Sequence, residues 1–172
     1  MLVAVVFLLA SCTRGPYEDL ERAFPTQRAR PATVQVPAMI LFSPNHHGAY
    51  NYKNMISIGL DSQGITIKPA WPFMKEVQIP MSAIEGCSKT CFDRSRWDVD
   101  VLVAKPPVEV SFTNTPEVIE WCWANKLRVV STSERTEWMY KSKPLLSKKH
   151  EADQIRTRVA YDEALRRACL GY

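Results

Sequence analysis

The chain has 172 residues, which suits one ordinary domain because domains cluster near about 100 to 150 residues. Its hydrophobic content of 46% and charged content of 23% are close to the globular average, which excludes a disordered chain, a collagen-like repeat and a polytopic membrane protein. The net charge of +4 identifies no partner by itself.

The first twelve residues, MLVAVVFLLASC, differ from the rest of the chain. As a helix, the apolar run from Leu2 to Ala10 would span about 14 Å, less than half of a hydrocarbon core of about 30 Å. A short apolar segment followed by small residues is typical of a secretory signal peptide, which we predict for residues 1–11. The alternative is that this run is a strand or buried helix of a cytoplasmic protein.

The segment Leu9-Ala10-Ser11-Cys12 resembles the lipobox of bacterial lipoproteins, in which the cysteine thiol is acylated and becomes the mature N-terminus. The resemblance implies a lipid anchor such as palmitate at Cys12, and two or more acyl chains hold a protein on a membrane for long times. Thr13, where an aspartate would favour inner-membrane retention, implies the outer membrane, facing the periplasm. Residues 12–33, interrupted by prolines, are predicted to be a tether, and a single helical turn at YEDLERAF is the alternative for part of it.

Lipidation of Cys12 would also account for the odd cysteine count. Four others remain, with three full pairings open in an oxidising compartment: Cys87, Cys91, Cys122 and Cys169. A disulfide between Cys87 and Cys91 is one candidate, and it requires a turn, because on an extended strand their Cα atoms would lie about 13 Å apart. A zinc site lacks a second close doublet, and His46 and His47 would point to opposite faces of a strand. Free buried thiols are the other alternative, and we predict no metal and no cofactor.

From Val34 onward the residues alternate with the period of half-buried strands. Seven segments fit: VQVPAMILF, MISIGL, ITIKP, EVQIP, SAIEGC, DVDVLVA and VEVSF. Residues 43–54 are predicted to be a polar loop, and Asp61 and Gly64 to form the turn of a hairpin. Pro37 suggests an edge strand or an irregular start for the first segment. Spacings of about ten residues favour a meander, and hence a barrel or a sandwich.

Pro116 begins a predicted helix, VIEWCWANKL, with Val118, Trp121 and Cys122 on its buried face. Trp121 and Trp123 are two residues apart on this helix and cannot both face inward. Because aromatic residues are enriched at interfaces, we assign Trp121, Trp123 and Trp97 to a candidate partner surface.

Residues 129–172 are predicted to be a basic tail, irregular at first and ending in a second helix over residues 151–172. Residues 126–172 carry 11 basic against 6 acidic side chains, whereas residues 1–125 carry 11 against 12. We interpret this charge as a solvated helix face; contact with anionic headgroups is the alternative.

The order of elements over about residues 36–128 resembles the pleckstrin-homology-like (PH-like) superfamily, including its GRAM-type members. The segments that carry the resemblance are ISIGLDSQGITIKP, KEVQIPMSAIEGC and DVDVLVAKPPVEVSFTNTPEVIEWCWANKL. It implies a mainly β domain at residues 34–128 with C-terminal helices (α+β), built as a seven-stranded, strongly bent antiparallel barrel plugged by a helix. A fold of this kind does not fix function.

The sequence carries no nucleophile elbow and no phosphate loop. Asp93, Asp98 and Asp100 belong to a charged stretch that we interpret as a surface turn rather than an acid/base pair. We therefore predict a non-enzymatic envelope lipoprotein that binds a protein or peptide, with no nucleic acid and no small-molecule substrate. The alternatives are a periplasmic immunity lipoprotein that inhibits an antibacterial effector, an enzyme, and a cytoplasmic or membrane-surface PH-like protein.

Overall fold

Seven strands, three α-helices and one short 3-10 helix (Met81–Ala83) form the regular structure in the part of the chain that the structure describes. The computed structural model describes residues 15–28, 30–46, 49–91 and 97–141. The helices are α1 (Pro16–Ala23), α2 (Pro116–Ala124) and α3 (Thr132–Lys141). The strands are β1 (Val34–Phe42), β2 (Tyr50–Asp61), β3 (Gly64–Pro69), β4 (Val77–Pro80), β5 (Ile84–Cys91), β6 (Trp97–Val103) and β7 (Val108–Thr113).

All seven strands form one antiparallel sheet in the order β4-β3-β2-β1-β7-β6-β5, curled into a half-barrel. Two meanders meet where the first strand, β1, pairs with the last strand, β7. The prediction of a mainly β fold with a few helices is confirmed. β2 is longer than predicted, because residues 50–54 belong to the strand and not to the loop before it. β1 is a central strand, and Pro37 lies at a shift in its register rather than at an edge.

Apolar side chains from all seven strands fill the concave face of the sheet. They come from alternate positions, such as Val99, Val101 and Val103 on β6, each fully buried. Trp121 and Cys122 on α2 join this core, together with Tyr17 and Leu20 on α1.

The β2–β3 hairpin is closed by the turn that the sequence predicts. The carboxylate Oδ1 of Asp61 accepts hydrogen bonds from the backbone N–H of Gln63 at 2.7 Å and of Gly64 at 3.1 Å. Gly64 has a φ of 141°, and a Cβ there would lie 2.0 Å from the backbone oxygen of Ile79. Only glycine fits this position.

Short chain segments cover the two edges of the half-barrel. At β4, the Gln78 N–H donates to Phe24 O at 3.2 Å, and Pro25 bridges to Val77. At β5, the Cys87 N–H donates to Arg128 O at 2.9 Å, and Val130 N–H donates to Cys87 O at 2.8 Å. Such covers occupy backbone groups that would otherwise be free to pair with another chain.

The predicted tether at residues 12–33 is wrong over α1, because this helix packs against the sheet. Pro16 fits the first helical turn, where its missing N–H costs nothing, and Glu18 and Asp19 favour the positive end of the helix. Tyr17 and Leu20, three positions apart on one face, are almost completely buried. Residues 12–14 lie outside the described residues.

The predicted irregular segment after Leu127 is also corrected, since it contains α3. A capping box begins this helix: Ser131 Oγ accepts from the Glu134 N–H at 3.3 Å, and Glu134 Oε2 accepts from the Ser131 N–H at 2.9 Å. The predicted helix at residues 151–172 lies outside the described residues. Among the helices that are described, none has both the length and the apolar character needed to cross a bilayer.

Candidate functional site

Helix α2 is fixed at one end of the half-barrel, which we call the helix end and define as α2 with the β2–β3 turn. Trp121 Nε1 donates a hydrogen bond to the backbone oxygen of Asp61 at 2.7 Å. The next residue, Cys122, forms a disulfide with Cys87 on β5, with the Cα atoms 6.5 Å apart. Two consecutive side chains therefore hold this helix against opposite parts of the sheet.

Trp121 does not belong to an exposed partner surface, which corrects one of the three aromatic assignments. Its side chain packs in the core and is 7% exposed. The burial of Val118, Trp121 and Cys122 agrees with the helical spacing in the sequence. The indole N–H is satisfied inside the protein, so Trp121 has no polar group left to offer a partner.

Trp123 points the other way from Trp121 and is 61% exposed. Glu117, Glu120 and Ala124 are exposed on the same helix, and Glu120 lies one turn before Trp123. An indole of this size on a fixed helix, with the Glu120 carboxylate one turn away, offers apolar area and negative charge together. These are features of a site for a partner that has an apolar pocket near basic groups.

Trp97 begins β6 close to the start of α2 and is half-buried. The backbone N–H of Trp97 donates to Asn114 Oδ1 at 3.0 Å, and the backbone oxygen of Trp97 accepts from the backbone N–H of Asn114 at 2.8 Å. Lys89 Nζ lies 4.8 Å from the centroid of its ring, within cation–π range. The ring of Trp97 is thus already in contact with a cation of this chain.

The other end of the half-barrel, the loop end, consists of α1 with the β1–β2 and β3–β4 connections. Tyr17 Oη donates to Lys75 O at 2.8 Å, and Glu21 Oε1 accepts from the Lys75 N–H at 2.6 Å. On the other side of α1, His46 Nε2 lies 2.7 Å from Asp19 Oδ2. These contacts fix both connections to the helix.

Two aromatic side chains are exposed on the β3–β4 connection of the loop end. Phe73 is 64% exposed and Trp71 is 38% exposed. Beside them is a cavity of about 520 Å³ between α1 and this connection, lined by Glu18, Glu21, Arg22, Pro25, Thr26, Lys75 and Glu76. Neither aromatic lines this cavity. Its charged lining of both signs provides no group of three or more His, Cys, Asp or Glu arranged to hold a metal, and none occurs elsewhere in the described ranges.

A buried ionic cluster on the outer face of β5, β6 and β7 was not anticipated from the sequence. Arg135 of α3 donates through Nε to Glu109 Oε2 at 2.8 Å and through Nη2 to Glu109 Oε1, and its Nε lies 3.2 Å from Asp100 Oδ2. Ser111 and Thr90 donate to Asp100 at 2.6 and 2.5 Å. The interpretation of Asp98 and Asp100 as part of a surface turn is wrong, because both are buried on β6. Asp93 lies outside the described residues.

Burial governs the charge state of this cluster. Loss of hydration raises the pKa of the Glu109 carboxyl, Arg135 opposes that effect, and the nearby charge of Asp100 adds to it. Hydroxyl donors and one guanidinium thus contact two carboxyl groups, of Glu109 and Asp100, that are at most 1% exposed. This arrangement joins α3 to the sheet.

The candidate disulfide between Cys87 and Cys91 is wrong, because Cys87 is bonded to Cys122. β5 continues from Ile84 to Cys91 without a turn, so the two cysteines stay apart on one extended strand. Cys12, the predicted lipidation site, and Cys169 lie outside the described residues.

Trp71 and Phe73 are exposed residues outside the partner surface that the sequence predicts. Trp71 lies between Pro69 and Pro72, and Phe73 directly follows Pro72, in a segment with no strand alternation. That combination is a usable signal for a loop with exposed aromatic residues.

Comparisons with protein families, with curated proteins and with solved structures find no match to this chain.

Proposed function

We propose that this protein is a non-enzymatic binding module of the bacterial cell envelope, lipid-anchored through Cys12, that presents Trp123 to a protein partner. The observation that carries the proposal is the exposure of Trp123 on a helix that is fixed to the sheet by its two preceding residues. A large aromatic side chain on a rigid support loses little conformational entropy on binding, which suits it to be an interface anchor.

Support for a PH-like class within this proposal comes from the strand order. Strands β1 to β4 form one meander and β5 to β7 a second, β1 pairs with β7, and a helix follows the last strand. The same order of elements is what the resemblance in the sequence implies.

Support for binding rather than catalysis comes from the interior of the half-barrel. Apolar side chains occupy its concave face, and the buried carboxylates on the outer face are engaged by Arg135, Ser111 and Thr90. Catalysis needs converging titratable groups beside a space for substrate, and the charged cavity at the loop end is the place where the enzyme alternative would have to be tested. The exposed aromatic surface of α2 needs only a complementary partner.

The anchor is tested by fractionation of cells that produce the full chain. We expect the Cys12→Ala variant to leave the membrane fraction, and mass spectrometry of the wild-type protein to find a mature N-terminus at an acylated Cys12. Unchanged membrane association of the variant together with an unmodified Cys12 would refute the anchor.

The partner surface is tested by a photo-crosslinking residue at position 123, with the same residue at exposed position 51 as the matched control. We expect a discrete adduct at 123 and none at 51. With the purified partner, Trp123→Ala should weaken binding at least about tenfold, as for an interface anchor, whereas Phe73→Ala should leave it unchanged. Equal binding by wild type and Trp123→Ala would refute the assignment. A secreted toxin as the partner would identify the protein as an immunity lipoprotein.

A further inference from the structure

The position of α1 limits how far the folded domain can lie from an anchor at Cys12. Only Thr13 and Arg14 separate Cys12 from Gly15, and these three residue steps span at most about 10 Å in any conformation. Gly15 itself lies against the sheet, since a Cβ there would come within 2.5 Å of the ring of Tyr50 at the start of β2. An acylated Cys12 would therefore hold the loop end close to the lipid headgroups, without a long tether.

The β3–β4 connection is held beside the start of α1. The Ala70 N–H donates to Met55 O at 2.7 Å, where this connection leaves the sheet. The connection returns to the sheet at Lys75, whose backbone N–H donates to Glu21 and whose backbone carbonyl accepts from Tyr17. Tyr17 is two residues after Gly15. Trp71 and Phe73 thus project from a loop that is fixed next to the segment leading to the anchor.

From these contacts we infer that the loop end rests on the bilayer, with Trp71 and Phe73 at the level of the lipid headgroups. This inference depends on the proposed lipid anchor. Tryptophan is favoured at a membrane interface because its ring is both apolar and polar, and phenylalanine adds apolar area. The Phe73 side chain is 64% exposed, and contact of its apolar surface with water is unfavourable. Burial of that surface in lipid would lower the free energy.

The surroundings favour a lipid surface over a peptide as the occupant. The cavity beside the loop is lined mainly by charged side chains, including Glu18, Arg22 and Glu76, and neither Trp71 nor Phe73 belongs to its lining. The aromatics lie outside it, on a loop that protrudes rather than encloses. Because Cys12 is only three residue steps from Gly15, its acyl chains would keep this loop next to the bilayer.

The same orientation leaves the helix end accessible. β3 connects the β2–β3 turn to the β3–β4 connection, and its six residues span roughly 20 Å. With the loop end on the membrane, α2 and Trp123 lie on the far side of the half-barrel and face the aqueous compartment. One end of the molecule is then used for lipid and the other for a protein partner.

The test uses the full acylated chain in vesicles of phosphatidylethanolamine and phosphatidylglycerol with bromine on the upper part of the acyl chains. Bromine quenches tryptophan fluorescence on contact. We expect bromine-dependent quenching in the wild type, its near abolition in Trp71→Phe, and its retention in the matched Trp123→Phe variant. Phe73→Trp should increase it.

Quenching that persists in Trp71→Phe, or that is lost in Trp123→Phe, would overturn the inference, as would a wild-type protein without quenching. Refutation of this orientation can be distinguished from refutation of the proposed lipid anchor. An unacylated Cys12 by mass spectrometry refutes the proposed function, whereas acylated protein with an unquenched Trp71 refutes only the orientation.

Discussion

Arg135 lies 26 residues from Glu109 in the sequence, yet its guanidinium contacts the carboxylates of both Glu109 and Asp100. The alternation of β6 and β7 correctly separates an apolar face from a polar one. Alternation alone, however, predicts that the polar face is solvated, because no local pattern shows that a distant arginine will cover it. This is why the ionic cluster was not predicted from the sequence.

Replacement of Arg135 by alanine should destabilise the protein strongly. The variant leaves two buried carboxylates without their guanidinium, and breaking a buried pair in this way costs about 3–5 kcal/mol. Arg22→Ala is the control, because its ion pair with Glu18 is exposed, with 72% and 45% of the side chains accessible, and such pairs contribute at most about 1 kcal/mol. Urea unfolding followed by circular dichroism gives both values. Similar losses in the two variants would contradict the role of the cluster.

Tyr52 and Tyr17 should make the folded state sensitive to alkaline pH. Burial, followed by the nearby Tyr50 and Glu21, raises the pKa of Tyr52 to about 12, and burial raises the pKa of Tyr17 further. Above the unfolded value of about 10, the unfolded chain loses these protons more readily than the folded one. The free energy of unfolding should therefore fall as the pH rises from 10 to 12.

Tyr52→Phe should lessen that fall, because phenylalanine has no proton to lose. Parallel urea titrations of the wild type and the variant between pH 8 and pH 12 provide the measurement. Curves that decline with the same slope would show that Tyr52 ionises equally in both states.

At the scale of elements, the sequence predicts a segment at each of the seven strands, but β2 begins earlier than predicted and β5 runs from Ile84 to Cys91 instead of over residues 82–87. The helices are predicted unevenly. The strands can be predicted because their side chains alternate with a period of two. Helix α2 can be predicted because Pro116 suits a first helical turn and the apolar residues after it follow helical spacing. The sequence does not clearly distinguish α1 from a tether, because its eight residues lie among prolines and only Tyr17 and Leu20 of this helix belong to the core. α3 was missed although Ser131 and Glu134 form a capping box, which is a local signal that can be read from sequence.

The disulfide of α2 should contribute substantially to stability. It closes a separation of 35 residues, for which the chain-entropy model gives about 3–4 kcal/mol. We expect the Cys87→Ser, Cys122→Ser double variant to lose approximately that free energy of unfolding, and Cys91→Ser to lose little. Peptide mapping without reduction should recover the Cys87–Cys122 link, and recovery of a Cys87–Cys91 link would refute this pairing.

At the scale of the whole molecule, the folded unit begins before the predicted boundary at Val34. Leu20 on α1 is completely buried in the same core as the strands. Leu20→Ala should therefore cost about 2–5 kcal/mol, as for other buried leucines, whereas substitution in a tether would cost nothing. Denaturant unfolding distinguishes these outcomes, with exposed Gln27→Ala as the control. Wild-type stability of Leu20→Ala would show that residues 16–23 do not contribute to the folded unit.

The pairing of β1 with β7 also determines when the protein can fold. A chain that has emerged only as far as β6 leaves β1 with one open flank, because the strand that completes it has not yet been made. High contact order of this kind is associated with folding in milliseconds to seconds, and with exposure to aggregation until the last strand docks. The sheet therefore becomes continuous only after nearly the whole β domain has been synthesised, so its folding is suited to follow synthesis rather than to accompany it.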